Sequence, residues 1–152
     1  MKILLVEDDP NKSGKIRHFI GDSIPGAELV CRPSYQSGLA AALGERFDLI
    51  LLDMSLPTYD IHGADQGNRT RAFGGREILD ALKRRGSRLR VAVVTQFETF
   101  GDGADAMTLG QLNEQLRREY PDNYVGTVFY QPSETTWQQE MARLLRQEVG
   151  KS

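Results

Sequence analysis

Three acids in a row, Glu7, Asp8 and Asp9, follow the apolar run Lys2 to Val6 (KILLV), and a single acid, Asp53, follows the apolar run in FDLILLDMSLP. Two further apolar runs, 90–94 and 125–130, end in Thr95 and in Gln131-Pro132. If these runs are neighbouring strands, their end residues meet at one edge. Carboxylates gathered there repel one another: at about 4 Å and an effective dielectric of ~20, one like-charged pair costs roughly 4 kcal/mol. A divalent cation removes that cost, and all-oxygen donors select Mg²⁺, Ca²⁺ or Mn²⁺ over zinc. A bound Mg²⁺ would draw a phosphoryl group to Asp53 and neutralise its developing charge. The carboxylate could then act as the nucleophile of a phosphoryl transfer, with the Thr95 hydroxyl hydrogen-bonding the phosphoryl oxygens.

Short apolar runs bounded by polar residues are the pattern of strands buried on both faces. The chain has strong ones at 2–6, 47–52, 90–94 and 125–130 and a weaker one at 28–31. Helical patterns alternate with them. The first spans 11–20, with Ile16, Phe19 and Ile20 on one face. The second is capped by Ser34, runs to about Leu43 and takes Gly44 as its C-terminal cap. The third spans 75–85, with Ile78, Leu79 and Leu82 inward and Lys83, Arg84 and Arg85 near the negative end of its dipole. The fourth spans 105–120, with Leu109, Leu112 and Leu116, and Pro121 stops it. The last is capped by Ser133 and carries Trp137, Met141, Leu144, Leu145 and Val149. Such alternation predicts an α/β fold: a doubly wound, five-stranded parallel sheet with helices on both faces. In that architecture ligands bind at the carboxyl ends of the strands. One domain over 1–150 is expected, interrupted at 58–74 (TYDIHGADQGNRTRAFG) by a polar loop insertion without period. A loop this long inside a domain is uncommon and usually functional.

Composition narrows the classes. A net charge of −2 gives no pull toward nucleic acid or anionic membranes. No apolar stretch approaches a membrane span, and the N-terminal run is too short for a signal peptide. The single cysteine, Cys31, excludes an internal disulfide and a cysteine-based zinc site, so the cytoplasm is the expected compartment. Cys31 itself suits a small buried apolar position. Asp60, His62 and Asp65 in the insertion could be a second metal site, but a solvated polar loop is favoured. The basic residues Lys83, Arg84, Arg85, Arg88 and Arg90 fit a solvated helix end, and the Trp137 to Leu145 stripe fits core packing. What singles out the acids is their coincidence on the first and third strand ends, with a hydroxyl on the fourth.

With these motifs in place, the chain resembles the receiver domain of two-component response regulators (CheY-like, flavodoxin-like (βα)5). KILLVEDDP is similar to that family's first strand and acidic pair, LILLDMSLP to its third strand, and VAVVT to its fourth. The resemblance implies that Asp53 is the phosphoacceptor, that Glu7 and Asp8 are the acidic pair, and that Asp8 ligates Mg²⁺ directly. Ser55 would supply its backbone carbonyl to the metal, and Thr95 would be the switch hydroxyl. The family carries a lysine before the proline that ends strand five; here Gln131 stands there, in YQPS. A neutral hydrogen bond contributes ~1 kcal/mol against roughly 1.5–3 for a charged one. Val128 falls on the family's aromatic switch position, with Phe129 and Tyr130 beside it. Gly74-Gly75 stands near the family's usual Asp-Gly.

The expected function is a signalling module and not an enzyme: a receiver that accepts phosphate on Asp53 with Mg²⁺ and acts through protein contacts. The alternative is a degenerate receiver that binds a partner constitutively, motivated by Gln131 and the insertion. A phosphatase of the haloacid-dehalogenase kind is disfavoured, because it needs a second aspartate two positions after the first, where this chain has Ser55. The partners implied are a histidine kinase or phosphotransfer protein and a downstream effector, with a homodimer as a further arrangement. Direct contact with membrane or nucleic acid is not expected.

Overall fold

The computed structural model describes residues 1–60, 70–71, 74–101 and 103–149. Five strands form one parallel sheet: β1 (Lys2–Val6), β2 (Glu28–Arg32), β3 (Leu49–Leu52), β6 (Val91–Thr95) and β9 (Tyr124–Phe129), in the order β2-β1-β3-β6-β9. The central run pairs Val6 with Leu52 and Leu52 with Val93. The carboxyl ends of β1, β3 and β6 therefore lie side by side, as the sequence predicts. Helices α1 (Pro10–Ser23), α2 (Tyr35–Gly44), α3 (Gly74–Arg84), α4 (Leu109–Glu119) and α5 (Thr136–Val149) cover both faces.

Alternation along the strands divides the core. Ile3, Leu5, Leu49, Leu51, Ala92 and Val94 face α1 and α5, against Ile16, Ile20, Trp137 and Met141. Leu4, Val6, Ile50, Leu52, Val91 and Val93 face α2, α3 and α4, against Ala41, Ile78, Leu82, Leu112 and Leu116. The same parity continued past β1 and β3 turns Glu7 and Asp53 toward the α1 side.

Several boundaries differ from the sequence reading, each for a local reason. Asp9 is the N-cap of α1, accepting from the Asn11 N–H at 2.9 Å, and Pro10 opens the helix. Ser34 caps α2 as expected, but Gly44 is its last helical residue and Glu45 the C-cap. Helix α4 does not reach back to 105: Gly103–Asp105 is a separate 3₁₀ turn, and 106–108 are not helical. Phe100 of β7 (Thr99–Phe100) pairs with Met107 of β8 (Met107–Thr108) in a small hairpin, and α4 begins only after Thr108. There the Thr108 side chain and Gln111 form a reciprocal capping box. Ser133 stands three residues ahead of α5, in a turn closed by the Glu134 N–H to the Gln131 carbonyl at 3.1 Å. The insertion is bracketed by a strand pair, β4 (Leu56–Pro57) just before it and β5 (Thr70–Arg71) near its end. Its first residues are fastened to α2: Asp60 accepts hydrogen bonds from Ser34 and Ser37 at 2.6 and 2.7 Å.

Helix α4 is tied to α3 by the buried phenol of Tyr120, which donates to Asp80, and by Arg76, which pairs with Glu119. Burial first, and the Asp80 carboxylate second, push the Tyr120 phenol up to about 12. An acid whose pKa is raised by folding favours the folded state below its ordinary value, 10.0 here, and loses that contribution as pH rises through about 12. Absorbance titration of Tyr120→Phe against the native protein should therefore lose a phenol titrating near 12; loss of one titrating at the ordinary value would contradict it.

Candidate metal and phosphoacceptor site

Helix α1 begins so soon after β1 that its first turn sits over the carboxyl edge of the sheet. Glu7 and Asp53 are buried there, and Asp8 is half-buried beside them. Ligand oxygens of Glu7, Asp8 and Asp53 all lie within 4.8 Å of one another. The sequence expectation that three acids converge is met. The Asp53 backbone N–H donates to the Val6 carbonyl at 3.0 Å, extending the β1–β3 ladder to the acid itself. The Ser55 N–H donates to Asp53 Oδ1 at 3.3 Å. From the opposite face α3 closes on the same segment: the Gly75 N–H donates to the Met54 carbonyl at 3.0 Å.

The electrostatics match the crowding. Burial first, and the Asp53 charge second, push the Glu7 carboxyl up to about 8, with Lys12 pulling the other way. Asp8 is raised for the same two leading reasons. Glu7 Oε2 is buried without an aligned hydrogen bond. The Glu7 and Asp8 carboxyls, which burial and the Asp53 charge drive to hold protons, make with Asp53 the donor set a hard divalent cation would relieve.

Thr95 is fully buried at the end of β6, the neighbour of β3, and its hydroxyl oxygen accepts from the Phe97 N–H at 3.1 Å, leaving its O–H to donate. Gln131 is exposed beyond the end of β9. Val128 is buried against the α1 and α5 side, and Tyr130 is the aromatic ring that packs there, on Trp137. Of the insertion's acids, Asp60 serves the α2 anchor; His62 and Asp65 lie outside the described residues. Cys31 is half-buried and accepts from Arg17 at 3.2 Å.

Sequence reasoning missed Lys12. Its side chain is 1% exposed, and its ammonium lies 2.8 Å from Glu7 Oε2 and 3.5 Å from Asp53 Oδ2. It also donates to the Val94 carbonyl at 3.0 Å and lies 5.7 Å from the centre of the Tyr130 ring. The signal was present as period: Lys12, Ile16 and Ile20 continue one buried stripe at intervals of four. A lysine on that stripe, at the helix start, has the acids of the sheet edge as its available partners.

No family model matches the chain. It is 33% identical over 139 residues to the "Uncharacterized protein y4jR" of Sinorhizobium fredii, covering 90% of this chain and 91% of that one. It is 26% identical over 145 residues to the "Detocs response regulatory protein DtcB" of Enterobacter cloacae, covering 94% and 97%. Among solved structures, the fold is similar to that of the phosphorylated cyanobacterial phytochrome response regulator RcpA, at a TM-score of 0.66 and 20% identity over 99% of this chain and 95% of that one. The fold is that of the response-regulator receiver domains. The chain belongs to one family with y4jR.

Proposed function

We propose that this receiver accepts a phosphoryl group on Asp53 in the presence of Mg²⁺ and signals through the protein surface that responds. The single observation that carries the reading is the convergence of Glu7, Asp8 and Asp53 at the carboxyl edge, their ligand oxygens within 4.8 Å of one another. Asp8, Asp53 and the Ser55 carbonyl would hold the metal, with Glu7 beside them. Mg²⁺ would supply charge neutralisation to the phosphoryl oxygens. The chain's own residues do the rest. Asp53 presents Oδ2 as nucleophile while the Ser55 N–H orients Oδ1. Thr95 has its O–H free to meet the phosphoryl oxygens from the next strand. The donor would be a histidine kinase or phosphotransfer protein, the output an effector protein, and the compartment the cytoplasm; no catalytic turnover is assigned. Mixed with Mg²⁺ and acetyl phosphate, the protein should gain one phosphoryl group by intact mass, and Asp53→Ala should gain none. An adduct that survives Asp53→Ala overturns the reading.

A second reading, a receiver that binds its partner constitutively, is favoured by the exposure of Gln131, which leaves the end of β9 without a cation at the site. It predicts a partner affinity that Asp53→Ala and Asp53→Glu leave unchanged.

A further inference from the structure

We propose that the Lys12 ammonium, delivered by the first turn of α1, binds the phosphoryl group that Asp53 accepts, in the place of a cation from the end of β9. The inference rests on the phosphoacceptor reading and extends it to a residue that no sequence motif marks.

The geometry is specific. Among the described residues, Lys12 places an ammonium within 4.0 Å of the Asp53 carboxylate, at 3.5 Å from Oδ2. Side chains in a helix lean toward its N-terminus, so Lys12, third in α1, points back over the end of β1. The ammonium is held by elements that also build the site: Glu7 after β1, the Val94 carbonyl next to Thr95 in β6, and the Tyr130 ring after β9. A surface lysine samples many rotamers. This one is buried among three fixed oxygens, so its charge is pre-placed.

The chemistry requires such a charge. Asp53 Oδ2 forms a bond to phosphorus as the donor's bond to phosphorus breaks, and that bond's electron pair leaves with the donor. One carboxylate charge is thereby replaced by the larger charge of the phosphoryl oxygens. Once a bound metal has displaced their protons, three ionised carboxylates and one ammonium sum to −2, which one divalent cation balances; after transfer the metal alone leaves the phosphoryl oxygens undercompensated. Lys12 is already within reach of the oxygen that forms the new bond, whereas Gln131 is exposed and neutral. Because the same ammonium also donates to Val94, a shift of Lys12 toward the phosphoryl group would pull on the residue preceding Thr95.

The test compares native protein, Lys12→Met, Lys12→Gln and the double variant Lys12→Met with Gln131→Lys. Three readouts are used: the rate of the acetyl phosphate adduct, ¹⁹F resonance of bound beryllofluoride with Mg²⁺, and calorimetric Mg²⁺ affinity. Lys12→Met should slow adduct formation and weaken beryllofluoride by about tenfold or more. Its Mg²⁺ affinity should rise several-fold, because a competing cation has left the acids; a lysine with only a packing role would not move affinity in that direction. Gln131→Lys should restore part of the adduct rate. Lys12→Gln keeps hydrogen-bond donors without the charge, and stands in if Lys12→Met loses its native circular dichroism. Native-like adduct rate and beryllofluoride binding in either folded variant overturns the role of Lys12 while leaving Asp53 as acceptor. A native protein that takes neither phosphate nor beryllofluoride overturns both.

Discussion

Trp137→Ala is expected to lower the unfolding free energy by about 3–5 kcal/mol and to degrade the phosphoacceptor site from a distance. Trp137 is buried between two rings, edge-on to Phe19 of α1 at 5.4 Å and tilted on Tyr130 at 5.0 Å. It therefore fastens α5 to α1 and to the end of β9 at once. The Tyr130 ring it supports lies under the Lys12 ammonium. Truncation leaves a cavity lined by groups that cannot all collapse into it, and the ring is free to leave Lys12. Urea unfolding of the variant gives the first number, and beryllofluoride affinity gives the second. A loss of stability below about 1 kcal/mol would show that the α1–α5 contact does not organise that face.

Gly75→Ala is expected to do the converse, with a moderate cost in stability and a severe one at the site. A Cβ on Gly75 would lie 2.3 Å from the Asp53 carbonyl oxygen and 3.0 Å from the Met54 Cα. Both are backbone atoms, so no side-chain rotation relieves the clash. Either α3 withdraws or the 53–55 segment shifts, and the second moves Asp53 Oδ1 away from the Ser55 N–H. Overpacking of this kind costs about 1–3 kcal/mol. The adduct rate should fall by more than about tenfold, since displacements near 1 Å cost that much where reacting groups are pre-placed. Wild-type adduct rate in Gly75→Ala would mean that α3 yields and the Asp53 segment does not depend on it.

These two residues show what kinds of information a single sequence holds. Strand identity was legible because both faces of the sheet are covered: short apolar runs such as LILL and VAVVT, bounded by polar residues and alternating with helical patterns, match buried parallel strands. The acids were legible because strands of one direction bring their ends to one edge. Gly75 could be read only as a glycine near a motif, since the need for a missing Cβ comes from the approach of α3 to Asp53. Lys12 was passed over for a related reason. A lysine at a helix start is ordinarily solvated, and only the stripe it shares with Ile16 and Ile20 aims it at the sheet. The β7–β8 hairpin was hidden because its two-residue strands are too short to show a period, and the leucines of α4 invited extension of the helix upstream. Ser133 competed with the true start of α5 because a turn residue and a helix cap share the same chemistry.

Asp53 as acceptor and Lys12 as the phosphoryl cation can be tested together by a crystal structure with Mg²⁺ and beryllofluoride. The account predicts the metal on Asp8, Asp53 and the Ser55 carbonyl, beryllium on Asp53 Oδ2, and the Lys12 ammonium within hydrogen-bonding distance of a fluorine. Beryllofluoride elsewhere than on Asp53, or a fluorine held by the Gln131 amide with Lys12 turned away, would contradict it.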